Sequence, residues 1–75
     1  MPKVLIIEDE QNIAELERDY LEVNGIDSDI ATTGEEGMKL ATENDYNLIL
    51  LDLMLPGIDG FELCKRLRQT LDIPI

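Results

Sequence analysis

Apolar and polar positions divide the chain into short blocks of different periodicity. Val4-Leu5-Ile6-Ile7 is a continuous apolar run that stops at Glu8-Asp9-Glu10, as expected of a strand covered on both faces. Ile13, Leu16, Tyr20 and Leu21 then recur at helical spacing, with acid in the first turn and Asn24-Gly25 as a stop signal. Ile26 to Ala31 alternates, with Ile26, Ser28 and Ile30 on one side and Asp27, Asp29 and Ala31 on the other. Charges inside a strand suit an edge position. Thr33-Gly34-Glu35-Glu36 has the form of a capping box and predicts a helix carrying Met38, Leu40 and Ala41. Asn47 to Leu51 is a second apolar strand, and it runs into Asp52. Met54-Leu55-Pro56-Gly57-Ile58 reads as a loop with Pro and Gly where a type II turn wants them. Asp59, with Glu62 three residues on, caps a third helix with a predicted apolar face of Phe61, Leu63, Cys64 and Leu67. Lys65, Arg66 and Arg68 suit the C-terminal end of that helix. Ile73-Pro74-Ile75 reads as the opening of a fourth strand.

The order β-α-β-α-β-α predicts an α/β fold: a parallel sheet with helices on both faces, joined by right-handed crossovers. The two apolar strands should be central neighbours, and the charged one should lie at the edge. That arrangement is spatial order 2-1-3, the beginning of a flavodoxin-like sheet. No linker or repeat interrupts it, so residues 1–75 form at most one small domain. A chain this short buries only about 60% of the surface it exposes when unfolded.

Charge narrows the function. Seventeen acidic residues against six basic ones give a formal net charge of −11, which opposes contact with nucleic acid or anionic membrane. Most of that acid solvates the surface. Cys64 is the single cysteine, so no internal disulfide forms and a reducing cytoplasm is the expected setting. The apolar run at the start is too short for a signal peptide or a membrane span. The chain has no histidine, which removes Ser-His-Asp and Cys-His catalysis and every imidazole metal site.

In open α/β sheets, ligands sit beyond the carboxyl ends of the strands, where the winding reverses. Here that point lies between the first and third strands, which end in Glu8-Asp9 and Asp52. Alone, each of these acids would be read as a cap on a helix or loop. Together they are three carboxylates at one place, and like charges about 4 Å apart repel by roughly 4 kcal/mol at an effective dielectric near 20. A bound cation or protonation of one partner relieves that repulsion. With only oxygen donors on offer the cation would be hard, and Mg2+ fits well.

The same residues carry a family resemblance. Leu5-Ile6-Ile7-Glu8-Asp9-Glu10 resembles the opening of receiver domains of two-component response regulators, whose acidic pair follows the first strand. Asn47-Leu48-Ile49-Leu50-Leu51-Asp52-Leu53-Met54-Leu55-Pro56-Gly57-Ile58-Asp59-Gly60 is similar to their phosphoacceptor segment, and Thr33-Gly34-Glu35-Glu36-Gly37 adds to the match. The resemblance covers the whole chain and implies a CheY-like fold. It implies that Asp52 accepts a phosphoryl group from a sensor histidine kinase. It also implies that Glu8, Asp9, Asp52 and the backbone carbonyl of Met54 hold Mg2+. Many family members carry Asp at the position of Glu8, a departure that should not abolish metal binding.

Complete receivers have five βα units, and the resemblance implies that this chain holds three, ending at the opening of strand 4. The Ser or Thr after strand 4, and the Lys and aromatic of strand 5, would lie outside it. On that expectation the outer edge of strand 3 is free for self-association. Leu55-Pro56-Gly57-Ile58-Asp59-Gly60-Phe61-Glu62 is similar to receivers of the winged-helix, DNA-binding subfamily, which implies a transcriptional output in a longer parent. The expected role is thus a signalling module and not an enzyme. Two other readings compete with it. A phosphatase with an Asp nucleophile would want a second Asp where Met54 stands, and a nucleotide site would want glycines where Glu8 to Asn12 stand. The remaining alternative is a phosphorylation-independent, self-associating interaction module.

Overall fold

The computed structural model describes residues 2–55 and 59–75. Its elements are β1 (Lys3–Ile7), α1 (Gln11–Val23), β2 (Asp27–Ala31), α2 (Gly34–Glu43), β3 (Leu48–Leu51) and α3 (Gly60–Thr70). The three strands form one parallel sheet in the order β2-β1-β3, the expected 2-1-3. The predicted type II turn falls on Pro56 and Gly57, outside the described residues.

The apolar run of β1 explains the layers. Val4 and Ile6 point to one face of the sheet and join Ala14 of α1, whereas Leu5 and Ile7 point to the other and join Ala41, Leu63 and Leu67 of α2 and α3. Leu5, Ile6 and Ile7 are wholly buried, and each such side chain contributes about 1.5–3 kcal/mol of apolar transfer free energy. A central strand under helices on both sides has no polar face to spare, which is why no alternation shows there. In β2 the alternation is real. Asp29 faces Lys3 and Tyr46: Lys3 Nζ lies 3.1 Å from Asp29 Oδ2, and the Tyr46 hydroxyl donates to the same oxygen at 2.7 Å. Burial of Tyr46, together with this bond and the charge of Asp29, pushes its phenol well above the ordinary value.

Helix ends follow local chemistry. After α1, Gly25 takes φ +77°, its N–H donates to Glu22 O at 3.0 Å, and that of Ile26 donates to Leu21 O at 2.9 Å. This pair of bonds is a Schellman close. Thr33 Oγ1 accepts from Glu36 N at 3.1 Å to start α2, and Asp59 Oδ1 accepts from Phe61 N at 3.0 Å to start α3.

Some expectations need correction. No acid lies in the first turn of α1; Glu10 is its N-cap residue and makes no side-chain cap bond, while its own N–H donates to Glu8 Oε1 at 3.1 Å. Phe61 is 68% exposed and does not belong to the buried stripe of α3, which is Gly60, Leu63 and Leu67. Two positions along a helix are separated by roughly 200°, so Phe61 and Leu63 cannot share a face. The same geometry leaves Leu16 (69%) and Tyr20 (70%) exposed among the described residues, since Ala14 and Leu21 meet the sheet instead. Ile73-Pro74-Ile75 is not a regular strand, yet Pro74 O accepts from Ile49 N at 3.0 Å.

Candidate functional site

The backbone ladder brings the acidic residues together. Glu8 N–H donates to Ala31 O at 3.0 Å, pinning the end of β1 to β2, and Asp52 N–H donates to Ile7 O at 2.9 Å, pinning the end of β3 to β1. Glu8 and Asp52 thus leave adjacent parallel strands at the same level and in the same direction. One carboxylate oxygen from each of Glu8, Asp9 and Asp52 lies within 4.8 Å of the others. Glu8 and Asp52 are half-buried and Asp9 is exposed, so the cluster opens to solvent on one side.

Two short-range bonds orient the carboxylates. Glu8 Oε1 accepts from Glu10 N at 3.1 Å, and Asp52 Oδ1 accepts from Met54 N at 3.0 Å. Both are local turns of the kind acidic side chains make with the backbone two residues on. The Glu8 carboxyl is raised above its ordinary value of 4.5, chiefly by burial; the bond from Glu10 opposes the shift, while the charges of Asp52 and Asp9 add to it. Burial out of water is thus the main cause, and the neighbouring carboxylates act in the same direction.

Three of the four expected ligands are therefore adjacent. The fourth, Met54, is tied to the cluster through its N–H, and its side chain is 85% exposed. The donor set suits a hard divalent ion: all oxygen, clustered at one point, with an open side for water or phosphate oxygens. Gly60 enters the sequence reading only as part of the matching segments, with no role of its own. It is buried at the start of α3, directly against the backbone of Leu53. The available signal was a glycine just inside a predicted helix, where a poor helix former needs a packing reason. No helix among the described residues is long and apolar enough to cross a membrane.

Comparison with known proteins gives a consistent result. Residues 4–75 match the response regulator receiver domain family. The chain is 49% identical to the response regulator ArlR of Staphylococcus saprophyticus over all of its own length and 34% of that protein. It is 47% identical to the transcriptional regulatory protein AfsQ1 of Streptomyces coelicolor, covering 100% of this chain and 33% of the relative. It thus spans about a third of the length of these curated relatives. Among solved structures, the response regulator TrrA from Thermotoga maritima in complex with Mg2+-BeF superimposes with a TM-score of 0.90 at 37% identity, over 93% of this chain and 61% of that one. TrrA in complex with the histidine kinase ThkA gives 0.89 at 37% identity, over 95% and 61%.

Proposed function

The chain belongs to the response regulator receiver domain family, and from that premise we propose that Asp52 accepts a phosphoryl group at a Mg2+-dependent site formed with Glu8 and Asp9. The observation that carries this reading is the convergence of three carboxylate oxygens within 4.8 Å at the ends of adjacent parallel strands. In the transfer, an Asp52 carboxylate oxygen forms a bond to phosphorus while the bond from phosphorus to the donor breaks, and the donor leaves with that electron pair. A carboxylate is a weak nucleophile, so the protein's part is positioning and charge balance. The backbone bond to Ile7 O fixes where Asp52 emerges, and the Met54 N–H holds Oδ1, leaving Oδ2 as the attacking oxygen. Glu8, Asp9, Asp52 and the Met54 carbonyl would hold the ion. A bound Mg2+ supplies the positive charge that lets a phosphoryl group approach three carboxylates.

The donor in this reading is a sensor histidine kinase, supported by the complex of ThkA with TrrA, and the setting is the cytoplasm. The output lies in a longer parent and is transcriptional, supported by the likeness to AfsQ1. This segment itself, at −11 net charge, makes no nucleic-acid contact. The test is incubation with Mg2+ and a small acyl phosphate, followed by intact-mass measurement. One added phosphoryl group is expected on the wild type and none on Asp52→Asn; equal labelling of both refutes the assignment.

A second reading rests on the outer position of β3 in the order β2-β1-β3. An apolar strand at a sheet edge is a template for a further strand, but Ile49 N–H on that edge is already bonded to Pro74 O, so self-association through β3 requires Ile73-Pro74-Ile75 to be displaced. Light scattering that finds a folded monomer at high concentration removes it.

A further inference from the structure

The backbone that follows Asp52 is held by a contact with no side chain in it. Gly60 is the first residue of α3 and is buried. A Cβ at this position would lie 2.4 Å from Leu53 Cα, 2.6 Å from the Leu53 carbonyl oxygen and 2.7 Å from its carbonyl carbon. Non-bonded carbons sit about 3.5–4.0 Å apart at their optimum, and these neighbours are backbone, so no rotamer change relieves the overlap. Any side chain at 60 must drive the start of α3 and the Leu53 backbone apart. Helix formation alone would disfavour glycine here, which leaves the close approach as its physical reason.

The consequence reaches the acidic site through one peptide unit. The Leu53 carbonyl and the Met54 N–H belong to the same planar, rigid group. That N–H donates to Asp52 Oδ1 at 3.0 Å. Displacing the carbonyl therefore swings the donor that orients the Asp52 carboxylate. Gly37 provides the contrast. A Cβ there would meet Ile7 Cδ1 at 2.6 Å and Ile7 Cγ1 at 2.9 Å, side-chain atoms whose adjustment does not act on the Leu53–Met54 peptide.

We propose that Gly60 is a positioning residue for the acidic site: its missing side chain lets α3 seat on Leu53 and so fixes the peptide that aims Asp52. This rests on the reading of Glu8, Asp9 and Asp52 as a divalent-cation and phosphoacceptor site, and it assigns part of that site's geometry to the α3 N-terminus.

The test uses amide 1H–15N spectra of the whole chain as wild type, Gly60→Ala and Gly37→Ala, first without divalent ions and then through a Mg2+ titration. Gly60→Ala should displace the Met54 amide resonance before any metal is added and weaken Mg2+ binding by about 10–100-fold, the range for loss of an outer-shell partner. Gly37→Ala should leave the Met54 resonance in place and lower Mg2+ affinity less, because it presses on the Ile7 side chain and not on the Leu53 backbone. An unmoved Met54 resonance in Gly60→Ala, or an equal loss of Mg2+ affinity in Gly37→Ala, overturns the proposal. Native-state hydrogen exchange on the wild type gives a check that needs no variant. Met54 N–H and Leu63 N–H, the latter bonded to Asp59 O at 3.0 Å at the start of α3, should open together. Free exchange at Met54 beside a protected Leu63 overturns it as well. A wild type that ignores Mg2+ while Gly60→Ala still moves Met54 would remove the metal-site reading and leave the positioning role standing.

Discussion

Replacing Asp52 with Asn separates the electrostatics of the acidic site from its packing. Asn keeps the Oδ1 acceptor that holds the Met54 N–H at 3.0 Å, so the local turn survives and one negative charge is lost. With the three carboxylate oxygens within 4.8 Å of one another, each pair repels by about 0.9 kcal/mol at the dielectric of water and about 3.5 kcal/mol at an effective value of 20. Asp9 is exposed and the site opens to solvent, so screening favours the lower figure. Asp52 enters two of the three pairs, so in chelator Asp52→Asn should be more stable than the wild type by about 1.7 kcal/mol, a rise in Tm of about 7–14 °C for a domain of this size. Added Mg2+ should reverse the order. At one hundred times its Kd, an ion that binds only the folded chain stabilises it by about 2.7 kcal/mol, and the variant, short of one charged ligand, should gain much less. The assay is thermal unfolding of both proteins in chelator and across a Mg2+ series. A variant that is no more stable than the wild type in chelator, or that gains as much from Mg2+, would refute both the crowding argument and the metal assignment.

The pH dependence of the same site has a defined sign. The Glu8 carboxyl is raised in the folded chain above 4.5, so its contribution is fully present below that pH and is lost as pH rises through the folded value. In chelator, the wild type should lose stability relative to Glu8→Gln as pH climbs from 4.5 towards neutrality, and parallel curves would contradict the shift. Tyr46→Phe removes a 2.7 Å bond to the Asp29 carboxylate; with the Asp29 side chain 40% exposed, the loss should be near the low end for a charged acceptor, about 1.5 kcal/mol. Urea titration should show this drop, and the substitution should cost far less when Asp29 is already Ala. Thr33→Ala removes the cap on Glu36 N and should cost about 1 kcal/mol, read as a lower urea midpoint with unchanged slope.

Strand identity and order were legible because burial on both faces writes an unbroken apolar run. Val4 to Ile7 and Asn47 to Leu51 carry that signal, and β1 and β3 are observed at Lys3–Ile7 and Leu48–Leu51. The charged alternation of Ile26 to Ala31 marked the edge strand for the same reason in reverse. Once the order 2-1-3 followed, Glu8, Asp9 and Asp52 had to meet, since parallel neighbours release their next residues at the same end.

Helix faces were less legible. Phe61, Leu16 and Tyr20 are apolar at plausible spacings, but which stripe a helix buries depends on its rotation against the sheet, and small residues such as Ala14 and Gly60 decide that rotation by allowing close approach. The Tyr46–Asp29–Lys3 cluster joins β1, β2 and the connection that leads into β3, and nothing in the spacing of those residues announces it. The sequence by itself determined which residues are strands, in what order they lie, and that three acids share one end of the sheet, because these follow from local periodicity and chain topology. Only the tertiary structure decided the burial that raises Glu8, the faces of α1 and α3, and the seating of Gly60 on Leu53, because each depends on distances between atoms far apart in the chain.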